Sequence, residues 1–292
     1  MVSVAVCIPV HGWSEKLRDT LSSIKDSEID QTIALSVVLA NSGEELVGIS
    51  DEIIVIDVPD ENYWVGGVCH LYQYVQRINV DYVVLMNHDC HPDKKCINEL
   101  VMFAESHSRT IAHAVLAYKD KHEVVWWAGS IIGCFSPLRW VHAEEDIKHL
   151  PIQPYEIDSA MGQCLIMPLS AANCKYLHGK YLRHYYGDSV QTIEMYRDGY
   201  QLYLVPKAIA YTDQSDQEEK RQRIYPFSLK KIAASFTAPY SQRNILAVFY
   251  SSYVSQRCYL GRIFYPFVVV SAKIGKVLAQ YVYFLITGRC FW

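Results

Sequence analysis

Apolar runs of strand length alternate along the first third of the chain with stretches in which apolar residues recur every three or four positions. Residues 2–9 form a first such run. Leu17, Leu21 and Ile24 then repeat at helical spacing behind Ser14, a residue type that caps helix starts. Runs at 33–39 and 52–58 predict a second and third strand, the second closing at the turn signal Asn41-Ser42-Gly43. Trp64-Val65-Gly66-Gly67 reads as a loop opening a helix with Leu71, Tyr74, Val75 and Ile78 on one face, and 82–86 is a fourth strand. This alternation predicts βαβ units, an α/β fold and a mostly parallel sheet flanked by helices. Beyond Asp93 the pattern predicts a helix at 97–103, a strand at 111–116 and a strand pair at 124–128 and 131–132 around Gly129. A polar loop over the site at 137–154, a strand at 164–168, a helix at 189–197 and a last strand at 202–206 follow. Residues 213–223 are densely charged and read as a linker, and the remainder is helical and rich in aromatics.

With 292 residues, 51% hydrophobic and 20% charged, the chain has material for a sizeable core, which excludes a disordered polypeptide. Nine cysteines without a CxxC pair argue against a disulfide scaffold and a zinc finger, and most lie in apolar runs, as reduced thiols of a reducing compartment do. Met1-Val2-Ser3 has no basic character and Pro9 and His11 interrupt the first run, so no signal peptide is expected. Apolar runs fall short of the ~20 residues of a conventional spanning helix. The net charge of -4 conceals a split: residues 220–292 contain 11 Lys and Arg and no acidic residue, whereas 1–219 contain 16 basic and 31 acidic residues. We therefore divide the chain into a domain at 1–215 and a basic helical region at 216–292. The tail is too apolar and too poor in clustered Arg for nucleic acid. Its Tyr and Phe residues with interspersed Lys and Arg suit an interfacial helix on an anionic membrane surface, the alternative being packing on the domain or on a second copy of the chain.

Candidate chemistry begins at residues 83–93, where an apolar run ends in Asn87-His88-Asp89-Cys90-His91. A carboxylate delivered at a strand end, where open α/β sheets bind ligands, can hold a divalent cation, and the cation a diphosphate. A hard cation prefers the oxygen of Asp89 to the nitrogens of His88 or His91, and Asp93 suits a helix cap.

Several spaced motifs together resemble the inverting glycosyltransferases of family 2, with the GT-A fold, and in particular rhamnosyltransferase-like members. These are Val6-Cys7-Ile8-Pro9-Val10-His11, Val37-Val38-Leu39-Ala40-Asn41-Ser42, Asn62-Tyr63-Trp64-Val65-Gly66-Gly67 and Asn87-His88-Asp89 in the first half. Asp158 with Gly162-Gln163-Cys164, Tyr185-Tyr186-Gly187-Asp188-Ser189, and Arg243-Asn244 follow. The resemblance implies nucleotide-sugar contacts from Pro9, Val10, His11, Asn41, Gly66, Gly67, Asn87, His88 and Arg243. It implies Mg²⁺ or Mn²⁺ on Asp89, with Asp213 where many members have a metal-binding His. Acceptor contacts fall to Asp158 and Gly162, with Trp127 as a candidate pocket wall, and Asp188 becomes the base that takes the acceptor proton. Ala40 stands in place of a base-reading Asp, and Val190 and Gln191 in place of further acidic residues. No Gln-x-x-Arg-Trp motif is present, so one sugar per encounter is expected. The partners implied are a nucleoside diphosphate sugar and a glycan or lipid-linked acceptor. The expected location is cytoplasmic, peripheral at the inner face of the cell membrane. The alternative is a catalytically degenerate protein of the same fold that binds glycan or another transferase.

Overall fold

The computed structural model describes residues 1–60, 63–213 and 228–287. The expected α/β architecture is what the chain adopts. Strands β1 (Val2–Val10), β2 (Ile33–Asn41), β3 (Ile53–Asp57) and β4 (Tyr82–Leu85) form a parallel half in the order β3-β2-β1-β4. Helices α1 (Glu15–Lys25) and α2 (Tyr63–Ile78) supply the crossovers. The chain runs out to β3 on one side of β1 and returns to β4 on the other, so the sheet reverses beside β1. Ligands of open α/β sheets bind outside the strand ends at such a reversal. Those ends are Pro9-Val10-His11 and Asn87-His88-Asp89.

The second half joins through β11 (Leu165–Pro168), antiparallel both to β4 and to β6 (Thr110–Tyr118). β12 (Gln201–Thr212) runs parallel to β6, and the short β5 (Cys90–Pro92) and β10 (Tyr155–Glu156) pair with β12. β7 (Val125–Trp127) pairs with β6, whereas β8 (Ser130–Ile131) pairs with β9 (Arg139–Trp140). The two segments around Gly129 therefore do not pair with each other as expected, and the polar stretch 137–154 holds β9 and a 3-10 turn at Ile147–His149. α3 (Cys96–Ser106) starts behind Lys95 without a side-chain cap, so Asp93 does not cap it. α4 (Gly187–Arg197) precedes β12.

The core is one cluster of strand and helix residues: Val4, Val6 and Ile8 of β1 pack under Val68, Leu71 and Val75 of α2, all fully buried. α2 begins at Tyr63 rather than after the glycines, and its buried stripe is Val65, Val68, Leu71, Tyr72 and Val75, while Ile78 is exposed. The absence of a side chain at Gly67 lets the helix approach the β1 tip, since a Cβ there would sit 3.3 Å from Pro9 Cβ. Ser14 caps α1, accepting from Leu17 N–H at 3.1 Å, as its residue type predicts. One expectation about cysteine is overturned: Cys69 of α2 and Cys174 form a disulfide, joining helix and loop across 105 residues. The other described cysteines are free, with Cys96 and Cys164 in contact at 3.5 Å inside the core.

Three helices, α5 (Leu229–Ser235), α6 (Ile245–Val254) and α7 (Tyr259–Thr287), follow β12. Contrary to the reading of the apolar runs, α7 is long and apolar enough to cross a membrane by length and composition, because Lys273 and Lys276 interrupt it too sparsely to lower its overall apolarity. The predicted linker at 213–223 and Asn62 fall largely or wholly outside the described residues, only Asp213 lying within them.

Candidate active site

Two acidic ends meet at the carboxyl edge of the sheet. β5 and β12 pair through Thr212↔Cys90, so the next residues outward, Asp89 and Asp213, face one another, with Asp213 N–H directed at Asp89 C=O over 3.4 Å. Asp89 Oδ1 is buried with no hydrogen-bond partner among the described residues. The turn that presents it is braced by α1: Thr20 Oγ1 donates to His88 C=O at 2.8 Å. His91 is buried behind the turn, and burial followed by the Lys119 charge lowers its pKa, against the pull of Asp19, Asp89 and Asp213. Lys16 of α1 lies 3.4 Å from the Asp213 carboxylate.

These donors fit a hard divalent cation. Among the described residues no group of three or more His, Cys, Asp or Glu converges to make an all-protein cage. Mg²⁺-type sites rarely have one; they take one or two carboxylates and complete the shell with water and substrate phosphate. Asp89 offers one buried carboxylate oxygen without a hydrogen-bond partner among the described residues, and Asp213, its backbone neighbour, has its carboxylate 3.4 Å from Lys16 Nζ. His88 gives its C=O to Thr20, and His91 Nδ1 lies 3.4 Å from Thr20 Oγ1.

Asp188 stands in the first turn of α4. Its Oδ2 accepts from Gly162 N–H at 3.1 Å and Oδ1 from Ser189 N–H at 2.7 Å. Burial raises its pKa, and the backbone donors hold that rise back. A half-buried carboxylate with a raised pKa is chemically suited to accept a proton.

One residue that the motif pattern alone did not single out links the two ends. Trp64 Nε1–H donates to Asn87 Oδ1 at 2.8 Å, two residues before Asp89. The six-membered ring of the same indole lies against Gly162, where a Cβ would be 2.3 Å from Cζ2. Val65 N–H bonds Arg183 C=O at 3.1 Å, fastening the start of α2 to the segment leading into Asp188. The only sequence signal for this was a bulky aromatic in a glycine-rich motif.

The remaining candidates divide. Asn41 is buried and its amide is committed to backbone, accepting from Gly12 N–H at 3.0 Å and Gly43 N–H at 3.2 Å and donating to Glu44 C=O at 2.9 Å. It shapes the β1–β2 rim on which His11 is exposed, with His11 Nδ1 3.2 Å from Ser42 Oγ. Pro9 and Val10 are buried at that rim, and Gly66 lies with Gly67 in the first turns of α2. Trp127 is corrected: it is fully buried, its indole donates to Ser130 Oγ and packs edge-on to His113, so it has no surface for an acceptor. Asp158 is buried and accepts from Ile132 N–H and from Arg257, at 2.8 and 2.9 Å, which ties its segment to the link between α6 and α7 in the C-terminal helical region. Arg243 lies in that helical region, in a crevice with Phe236, Ile245 and Lys273. Val190 and Gln191 are buried too, Gln191 donating to Tyr72 OH at 2.9 Å, so these positions face the core.

Comparison with known proteins bears on the family and the fold. Residues 5–171 match the family model "Glycosyl transferase family 2". No curated protein matches the chain. Among solved structures, that of GalNAc-T7 with UDP, GalNAc and Mn²⁺ aligns with a TM-score of 0.55 at 12% identity, over 73% of this chain and 44% of that one. S. aureus TarS 1-349 aligns with a TM-score of 0.48 at 9% identity, over 85% and 70%. The chain thus spans less than half of GalNAc-T7, with which it shares the GT-A fold. With more than half of its length inside the matched segment, the chain belongs to glycosyl transferase family 2.

Proposed function

We propose that this glycosyltransferase moves a sugar from a nucleoside diphosphate sugar to a glycan or lipid-linked acceptor, with inversion and one sugar per encounter, in cell-surface polysaccharide synthesis. The observation that carries this reading is the single indole joining the Asn87–Asp89 turn to the Gly162–Asp188 contact. One side chain thereby links the Asp89 turn to the Asp188 turn, and in-line displacement would put the donor diphosphate on the Asp89 side of the anomeric carbon and the acceptor hydroxyl on the Asp188 side. Asp89 and Asp213 would hold Mg²⁺ or Mn²⁺, which supplies neutralisation of the diphosphate as it leaves. The same fold carries UDP and Mn²⁺ together in GalNAc-T7. Asp188 takes the acceptor hydroxyl proton as that oxygen attacks the anomeric carbon. The exposed apolar face of α7, with no acidic residue in 228–287, supports a peripheral position on the cytoplasmic face of an anionic membrane.

The degenerate-binder alternative drew on the missing acids at Val190 and Gln191 and on Asp213 in place of a His; Val190 and Gln191 are buried, which speaks against the first ground alone. Transfer and donor hydrolysis, measured over a panel of nucleotide sugars with Mn²⁺ and with chelator, test the assignment. Wild-type turnover in both Asp89→Ala and Asp188→Ala would overturn it.

A further inference from the structure

The turn that carries Asp188 is held by the C-terminal helical region as well as by Val65 and Gly162. Tyr186, two residues before Asp188, occupies the left-handed region at φ 67° and has no side-chain cap bond of its own. A bulky residue keeps that conformation only where its surroundings over-determine it. Here they do. Tyr186 OH donates to Gln242 C=O at 2.9 Å, and Lys273 Nζ donates to both Tyr186 OH and Gln242 C=O, at 2.9 and 2.8 Å. The Lys273 ammonium also lies 5.5 Å from the centre of the Tyr186 ring, which packs against a small cluster that includes Leu182, Val190 and Ala247.

Lys273 sits midway along α7, whose other surface exposes Phe264, Phe267, Val268, Leu278, Val282 and Leu285. The described residues 228–287 contain seven Lys and Arg and no acidic residue. An apolar face within a wholly basic region complements an anionic lipid surface, which offers both an acyl layer and negative headgroups. α7 packs on α6, with Phe267 edge-on to Phe249, and Lys273 adds a polar tie from α7 to the Tyr186 turn.

We propose that Lys273 is a positioning residue that ties lipid-facing α7 to Tyr186, so that docking of α7 on an anionic bilayer orders the turn presenting Asp188. This rests on the reading of Asp188 as base and of α7 as membrane-facing. The site would be fully ordered only where a lipid-borne acceptor is found.

The test is hydrogen exchange, read by mass spectrometry, on the full chain with and without vesicles of equal parts phosphatidylcholine and phosphatidylglycerol. Vesicles are expected to slow exchange across 183–190 by at least about threefold in the wild type. Lys273→Met and Tyr186→Phe should co-sediment with vesicles as the wild type does, yet show no slowing, and Lys273→Arg should restore it. Unchanged exchange in vesicle-bound wild type, or equal slowing in Lys273→Met, overturns the proposal and leaves the membrane reading intact. Failure of the wild type to bind vesicles overturns both. Core amides of β1 and β4 report folding; if Lys273→Met alters them, Tyr186→Phe, which removes only a hydroxyl, decides.

Discussion

Gly162 and Trp64 share a contact in which there is room for no further atom: a methyl group on Gly162 would lie 2.3 Å from Cζ2 and 2.9 Å from Cη2 of the indole. The same glycine donates its N–H to Asp188 and the same indole donates to Asn87. The spacing between the Asn87–Asp89 turn and the Asp188 turn is therefore set by direct packing.

Gly162→Ala should displace the indole and break the Trp64–Asn87 bond. Overpacking of this kind costs about 1–3 kcal/mol. Trp64→Leu in the same chain should relieve much of that cost, so urea melts of the two single variants and the double should show strong coupling. Additive losses would mean that the contact is slack.

Asp188→Asn should lower turnover by roughly 10²–10⁴-fold with the fold intact. In the wild type, turnover should rise with pH through the raised Asp188 pKa, because only the ionised carboxylate accepts a proton. Stability should move the other way. A carboxyl whose pKa is higher folded than unfolded binds its proton more tightly in the native state, so this contribution declines as pH climbs from the ordinary carboxylate range to the raised value. Thermal melts across that window should show the decline in the wild type and its absence in Asp188→Asn.

Lys16 pairs with the Asp213 carboxylate, so under the proposed metal role of Asp213 it would compete with the cation. Lys16→Met should therefore tighten Mn²⁺ binding several-fold in calorimetry with the metal alone. Unaltered affinity would remove Asp213 from the ligand set and leave Asp89 as the protein's donor.

Arg257→Met leaves the buried Asp158 carboxylate without its ionic partner. The Arg257 side chain is 60% exposed, so solvent screens the pair and the expected loss is about 1–2 kcal/mol, below that of a fully buried pair. Asp158→Asn in the same chain should recover part of it. A melting temperature equal to wild type in Arg257→Met would show that the C-terminal helices are held by other contacts.

The parallel half was legible because β1, β2 and β4 are continuous apolar runs, a pattern that follows from burial on both faces. Strands of two or three residues, such as β5 and β8, carry no periodicity of their own; partners far along the chain decide them. Pro206 made β12 look finished at residue 206, yet the strand absorbs it in a register shift between Val205 and Ile209 and continues to Thr212, bringing Asp213 opposite Asp89. Gly66 and Gly67 suggested a loop, but they lie inside α2, where Gly67 permits a close approach to Pro9. Asp89 and Asp188 were visible as residue types at the ends of patterned elements. Trp64 was not, because its position depends on Gly162, and Lys273 was not, because nothing local to α7 marks a partner at Tyr186.

The ladder between β4 and β11 is four residues long and fixes Leu165 against Leu85. It is the seam along which the half of the chain bearing Asp89 is indexed to the half bearing Gly162. A slip of one position would turn Ile166 and its neighbours to the wrong face and shift Gly162 by about 3.3 Å along the strand. Substitutions at Leu85 or Leu165 that loosen this seam would reach the chemistry as misalignment before they register as unfolding.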